Sequence, residues 1–381
     1  MPELSKHSQN EQTQEERMVA DEGSSIVQPQ ETPGIEGDVL EIEMEAAEST
    51  LSKEDAGITC FLFQTHKEPH KVDLVDLPEL VSDDENFIWV DVSSAVIQNV
   101  QQVADLLHLH QRAVQITLAS WKRPGLDMFK THFFVTTTLP RLDFASYHIE
   151  AQKLAFFVGR NFLVSTHQKA LPFTPRVLQR ARQSPNLIKY DSTLMLFILL
   201  DELLGYYEIL KEQIQTQIEI MEERALTDTS QEFLSDLLHF KRYAFALSQL
   251  AGQHRPIFTA FLRPDFTHIS GREVEVYYRD LDARHSRLED MFLGARDAIN
   301  VIFDIYISHV SHFTNNVMKT LTIVSTVLLP ATIIIGIFGT NSIQDFPLLI
   351  HFWGFILMIV SIITSSVTIL LIFHHKGWLW Q

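Results

Sequence analysis

Asn315, Met318, Leu321, Ser325, Leu329, Thr332 and Gly336 follow one another at steps of three or four residues, so on a helix they share one face. The face has polar groups at both ends, apolar residues near its base, and small or hydroxyl residues between. Repeated around an axis, such a face supplies rings of oxygen ligands for an ion or its hydration waters, and an apolar constriction that closes by dewetting. Small and hydroxyl residues also serve ordinary helix packing in membranes, so the pattern alone fits either role. Three residues beyond Gly336 the tripeptide Gly339-Thr340-Asn341 closes the apolar stretch and is the best clue to what the face would handle.

The elements that must carry these residues are two apolar spans, from about Leu321 to Phe338 and from about Leu349 to Phe373. Neither contains Asp, Glu, Lys or Arg, and the first approaches and the second exceeds the roughly 20 residues a bilayer crossing needs. The short connection makes them a hairpin. Transmembrane helices are expected at 321–340 and 349–373, with an extracytoplasmic loop at 341–348 and a cytoplasmic tail at 374–381. Lys319 and Lys376 flank the hairpin, whereas the loop carries only Asp345 as a charge. The positive-inside rule then places both termini in the cytoplasm of a multi-pass cell (inner) membrane protein. One hairpin cannot enclose an aqueous path, so conduction requires several copies around an axis.

Net charge is −18, which argues against a nucleic-acid partner. Residues 1–55 hold 15 Asp/Glu against 3 Lys/Arg, and with few aromatics residues 1–56 read as a disordered acidic tail. Cys60 is the single cysteine, so disulfides and thiolate zinc sites within one chain are excluded. No signal-peptide pattern opens the chain. Strand-like runs at Ile58–Phe63, Phe87–Val92, Phe133–Leu139, Lys153–Val158 and Phe162–Thr166, with helical spacing over Val96–Leu107 and Gln115–Ser120, predict a cytoplasmic α/β domain at 57–172. Pro172 and Pro175 punctuate its exit. Residues 173–271 are helical, with Leu194–Leu226 and Ser230–Gln253 as the main helices and Pro256 and Pro264 marking a turn. The membrane-like run Thr193–Leu200 stops at Asp201-Glu202 and is too short to span.

From Arg272 no proline intervenes until Pro330. Leu281, Leu288, Phe292, Ala295, Ile299, Ile302, Tyr306, Val310, Phe313 and Val317 form a stripe that predicts a stalk helix at 272–320 running into the first span. The stripe suits packing within one subunit or self-association. The fold class expected is an α+β cytoplasmic domain, a mixed sheet flanked by helices, on a long stalk helix with a two-helix transmembrane hairpin.

The run from Asn316 through Thr332 and Gly336 to Gly339-Thr340-Asn341 closely resembles the pore helix of CorA-type divalent cation transporters. The resemblance extends back to Tyr278-Arg279-Asp280 and forward to His374-His375-Lys376-Gly377-Trp378-Leu379, with weaker likeness at Phe87–Val92, His110 and Arg123-Pro124. It implies a homopentameric funnel in a lipid bilayer that imports Mg²⁺, with Co²⁺ or Ni²⁺ as further substrates. The divalent cation is cargo, and no covalently bound cofactor is expected. A ring of Asn341 carboxamides would accept hydrogen bonds from the waters of a hydrated cation, which suits an ion that dehydrates reluctantly. Thr332 would offer a second oxygen ring, and Met318 and Leu321 match the family's apolar gate.

Three departures stand beside it. Thr340 replaces the Met of the family's Gly-Met-Asn, as happens in the zinc-associated ZntB-like branch, so a zinc transporter with proton coupling is the alternative. Asp345-Phe346-Pro347-Leu348 replaces the family's Met-Pro-Glu, and Asp345 would supply an external acidic ring. Asp280 keeps the stalk acid of the family's regulatory cation site, but Ile116 occupies the partner carboxylate's position and cannot coordinate a metal. Closure by intracellular Mg²⁺ is therefore expected to be weak. His108 with His110, and His374 with His375, lack the spacing of a mononuclear zinc site; His374, His375 and Lys376 read as a sparse cationic collar. No catalytic constellation stands out, so an enzyme is not expected. A non-conducting membrane scaffold is the reading from another class, opposed by the polar residues kept at Asn315, Thr332 and Asn341.

Overall fold

The computed structural model describes residues 57–64, 67–93, 96–119, 123–143, 148–183, 187–266, 269, 272–339 and 352–378. The acidic tail, Thr340, Asn341 and Asp345 lie outside the described residues. Among the described residues seven strands form one sheet: β1 (Ile58–Gln64), β2 (His70–Val72), β3 (Asn86–Ser93), β4 (Gly125–Met128), β5 (Phe133–Asp143), β6 (His148–Val158) and β7 (Phe162–His167), in the order β2-β1-β3-β7-β6-β5-β4. Only β3 and β7 run parallel; every other pair is antiparallel. The mixed sheet matches expectation. The edge strands β2 and β4 are three and four residues long, too short for alternation to reveal them.

Successive residues of β3 serve opposite faces. Ile88, Val90 and Val92 join Leu62, Phe134, Phe157 and Val164 in a core closed by α1 (Leu77–Val81), α2 (Ile97–Leu106) and α3 (Gln111–Leu118). Phe87, Trp89 and Asp91 lie on the other face, where Trp89 stacks on Phe61 at 5.3 Å and its indole N–H donates to Ser165 at 2.8 Å. That face is covered by α5 (Leu187–Thr227), α6 (Gln231–Gly252) and α7 (Arg255–Phe261), and α4 (Thr174–Gln183) packs on α5. Pro175 and Pro256, taken as punctuation in the sequence, sit in the first turns of α4 and α7, where proline's missing N–H is harmless. Helix α3 begins earlier than the spacing indicated, because the His110 ring nitrogen accepts the Arg112 N–H at 3.2 Å and caps it.

The stalk and first span are one helix, α8 (Arg272–Gly339), and α9 (Phe352–His375) follows. Of the apolar stripe, Leu281, Leu288, Phe292, Ile299, Ile302 and Tyr306 are buried against α5 and α6, so packing within the subunit accounts for that part. Phe313 and Val317 remain 54% and 51% exposed. Asp201-Glu202, which ends the membrane-like run in α5, serves as an anchor. Arg180 pairs with both acids, at 2.6 and 2.7 Å, and Arg176 pairs with Glu202 at 3.1 Å. From the stalk, Arg284 contacts Asp201 and grips Glu208 with two nitrogens, at 2.6 and 2.7 Å. Such forked contacts are the strong form of the arginine–carboxylate pair.

At the carboxyl ends of the parallel pair, His167 is buried with its Nε2 3.1 Å from both Asp91 carboxylate oxygens and its Nδ1 2.9 Å from the Lys169 carbonyl. Burial alone would lower the imidazole pKa, but the carboxylate and carbonyl outweigh it and raise it above 6.5. A raised folded pKa gives stability that is full below the unfolded value and lost as pH rises through the folded one. Removal of the Asp91 charge by Asp91→Asn should lower unfolding stability by about 3 kcal/mol. It should also flatten the decline in thermal midpoint seen in the parent as pH rises above 6.5.

Candidate pore face

The apolar half of α8 makes its intramolecular contacts on one side. Ile323, Val327, Pro330, Ala331 and Ile334 are half-buried while their neighbours are exposed, and α8 and α9 pack together over this stretch. On α9 the matching stripe is Gly354, Met358, Ser361, Ile362, Ser365, Ile369 and Phe373, buried or half-buried. Gly354, Ser361 and Ser365 are the small residues that let membrane helices approach closely. This contact stripe, recurring about once per turn on each helix, was hidden in the sequence by the apolar character of the neighbouring positions.

The candidate pore residues fall on the opposite side. At 3.6 residues per turn, Met318, Leu321, Ser325, Leu329, Thr332 and Gly336 point roughly away from the Ile323–Ile334 stripe, with Asn315 rotated somewhat to one flank. All seven are exposed, Leu321 at 58% and Leu329 at 63%. A Cβ added at Gly336 would meet nothing within 4 Å. Packing against α9 therefore does not occupy the face, and the ordinary hairpin contact uses different residues. Gly339 ends α8; Thr340, Asn341 and Asp345 lie beyond the described residues.

The hydroxyls of this helix are oriented by its own backbone. Thr332 donates to the Leu328 carbonyl at 3.0 Å, and Thr320, Thr322 and Thr326 bond in the same way to carbonyls four residues back. With its proton committed, the Thr332 oxygen has lone pairs to present outward. It is suited to accept hydrogen bonds from a cation's hydration waters. Pro330 lies within α8 on the half-buried side, so the backbone acceptor that proline leaves unpaired belongs to the contact side of the helix.

The end of the hairpin beyond α9 is well defined. Helix α9 stops at Gly377, whose φ of 70° suits a residue without Cβ. The Gly377 N–H donates to the His374 carbonyl and the Trp378 N–H to the Phe373 carbonyl, each at 3.0 Å, the paired bonds of a Schellman cap. Trp378 folds back to stack on Phe373 at 5.5 Å. Asp280 is exposed on the stalk. Ile116, its expected counterpart, is 5% exposed and packs in the core beneath α2 and α3, so it turns its side chain into its own domain. Among the described residues no group of three or more His, Cys, Asp or Glu is placed to hold a metal.

An α/β domain carried on a single helix that continues into an apolar stretch packed on a second apolar helix, each long enough to cross a bilayer, is the architecture of a membrane protein. Residues 84–375 match the family model described as CorA-like Mg²⁺ transporter protein, and the chain belongs to that family. It is 26% identical to the cobalt/magnesium transport protein CorA of Thermotoga maritima over 293 residues, covering 76% of this chain and 83% of the relative. The putative metal ion transporter YfjQ of Bacillus subtilis is 25% identical over 317 residues, covering 81% and 93%. The fold agrees with the complete structure of the CorA magnesium transporter from Methanocaldococcus jannaschii, at a TM-score of 0.69 and 18% identity over 85% of this chain and 99% of that one. It agrees also with the full-length CmaX protein, at 0.66 and 18% identity over 86% and 100%. Divalent metal cation transport, with Mg²⁺ and Co²⁺, is the activity at family level.

If the Thr332 oxygen receives hydrated cations, Thr332→Val, which keeps the shape and removes the acceptor, should reduce divalent flux several-fold. The helical circular dichroism of the reconstituted protein should stay unchanged.

Proposed function

We propose that the chain imports Mg²⁺, and Co²⁺ or Ni²⁺ with it, through a homopentameric pore lined by α8. The observation that carries this reading is the free face from Asn315 to Gly336, which lies opposite the α9 contact and combines exposed oxygens with an apolar stretch. The neck supports association of copies. From Ser311 to Met318 every residue is exposed, and it includes Phe313, Val317 and Met318, which a ring of stalks would cover. Asn341 would bind the hydrated ion at the outer mouth beside Gly339 and Thr340, with Asp345 as an external acidic ring. Thr332 would receive the ion below, and Met318 and Leu321 would form the closing constriction. With Lys319 and Lys376 at the cytoplasmic side of the cell membrane, the inside-negative potential drives entry. It supplies roughly 2.3 kcal/mol per charge per 100 mV, and about twice that for a divalent ion.

The test is flux into proteoliposomes under an imposed negative potential, comparing Mg²⁺, Co²⁺, Ni²⁺ and Zn²⁺. Mg²⁺ and Co²⁺ uptake that collapses in Asn341→Ala is the expected result. Equal flux of every ion in parent and variant would remove Asn341 as the selectivity ligand, Zn²⁺ preference would favour the zinc alternative, and no flux would favour a scaffold.

Regulation follows from Asp280 and the buried Ile116. With one carboxylate lacking its counterpart, millimolar Mg²⁺ should protect the cytoplasmic domain only weakly from protease, and equally in Asp280→Ala. Strong protection that vanishes in this variant would contradict the assignment.

A further inference from the structure

Two histidines that the pore reading does not use meet where the stalk joins the cytoplasmic domain. His254, between α6 and α7, is 2% exposed, and so is His285 on α8. Their rings lie 6.4 Å apart. His254 Nδ1 bonds the Leu250 carbonyl at 2.9 Å, and its Nε2 accepts the Thr138 backbone N–H from β5 at 3.0 Å. Both nitrogens are thus committed in the neutral tautomer, one as donor and one as acceptor. Tyr207 of α5 closes over the same point, its hydroxyl donating to the Thr138 carbonyl at 3.1 Å and its ring 5.7 Å from that of His254. His285 donates through Nε2 to the Ala251 carbonyl of α6 at 2.9 Å, and Phe258 of α7 stacks on it at 4.6 Å. Its Nδ1 is buried without a hydrogen-bond partner.

We propose that His254 and His285 form a proton-sensitive latch, which fastens the stalk to α6 and β5 while both rings are neutral and releases it when the cytoplasmic side is acidified. A proton on His254 Nε2 would set N–H against N–H at Thr138 and break the link to β5. A proton on His285 Nδ1 would create a buried donor with no acceptor. The pocket the two rings share with Leu203, Leu204 and Leu288 has room for no more than about one water molecule and is lined mostly by apolar side chains, so it cannot hydrate two charged rings. The charged groups that act on His285 are Glu289 and Asp282 on the stalk, which favour its protonation, and Arg255 from α7, which opposes it. Toward the pair β5 presents the Thr138 amide and hydroxyl, α5 presents Tyr207, and α6 its Leu250 and Ala251 carbonyls.

Burial, reinforced by the neighbouring ring, lowers His254 to about 4, and burial lowers His285 as well. For a depressed folded pKa the stabilisation is full above the ordinary value of 6.5 and is lost as pH falls through the folded one. The adjacent clamp has the opposite character. Glu208 is held below the usual carboxylate range by its hydrogen bonds to Arg284, so the stalk stays fastened to α5 while the histidine side opens. Acid is therefore expected to swing the stalk on α5, and α8 carries that movement without a break toward the membrane.

The latch is independent of which ion is carried, and its test needs no flux. In full-length protein in nanodiscs with Cys60→Ala, spin labels at Asp290→Cys on the stalk and Gln249→Cys on α6 report one distance. Labels at Asp290→Cys and Glu212→Cys on α5 report the control. Between pH 7 and 4.5 the stalk–α6 distance should lengthen and broaden reversibly while the stalk–α5 distance holds. The step should disappear in His254→Gln/His285→Gln. Should the double variant not fold, His285→Gln alone, which keeps an N–H for the Ala251 carbonyl, should shrink the step. An unchanged stalk–α6 distance in the parent, or an equal step in a folded histidine variant, overturns the latch.

Discussion

The molecule depends on the continuity of α8, whose backbone hydrogen-bond ladder lacks a donor at Pro330. Its 68 residues span about 100 Å at helical rise, from the α/β domain through the first apolar span. In a bilayer every backbone polar group must be satisfied within the segment, so a break at the membrane surface would leave donors and acceptors without partners. Continuity solves this and joins the two halves mechanically. A rotation or tilt imposed near Arg284 and His285 can reach Met318 and Leu321 with no intervening loop to absorb it.

What holds the lower end of that lever differs from what holds the upper. Below Tyr306 the helix is seated by buried aromatic and aliphatic contacts on α5 and α6 and by the ion-pair cluster of Arg284, Asp201, Glu208 and Arg180. These pairs are partly buried, so their removal one partner at a time matters more than their net contribution. Beyond the exposed neck, the contact that α8 makes among the described residues is with α9, through a narrow stripe. The free face and neck are what a single copy leaves uncovered.

The two modes of seating also differ in chemistry. Arginine–carboxylate forks persist across the neutral range, whereas a histidine whose neutral tautomer is built into the hydrogen-bond pattern is sensitive to acid. His167 and His254 show how environment decides the sign. Asp91 beside the first raises its pKa, and apolar burial with a second imidazole lowers the other. Neither outcome follows from residue type.

The membrane hairpin, the continuous stalk and the five longer strands were legible in the sequence, because each is written in local periodicity: 3.6 for helices, 2 for strands, and apolar length for the spans. The face from Asn315 to Gly336 was legible for the same reason, since spacing along one helix sets which side chains share a side. The tertiary structure decided which of those faces is occupied. It assigned Ile323–Ile334 to α9 and the lower stripe to α5 and α6, because periodicity gives direction around an axis but not the neighbour found there. The short edge strands, the helices opening at Pro175 and Pro256, the anchoring role of Asp201-Glu202, and the meeting of His254 with His285 all depend on residues distant in the chain. Their contacts form only when the sheet, α6 and the stalk pack together, and no local pattern records them.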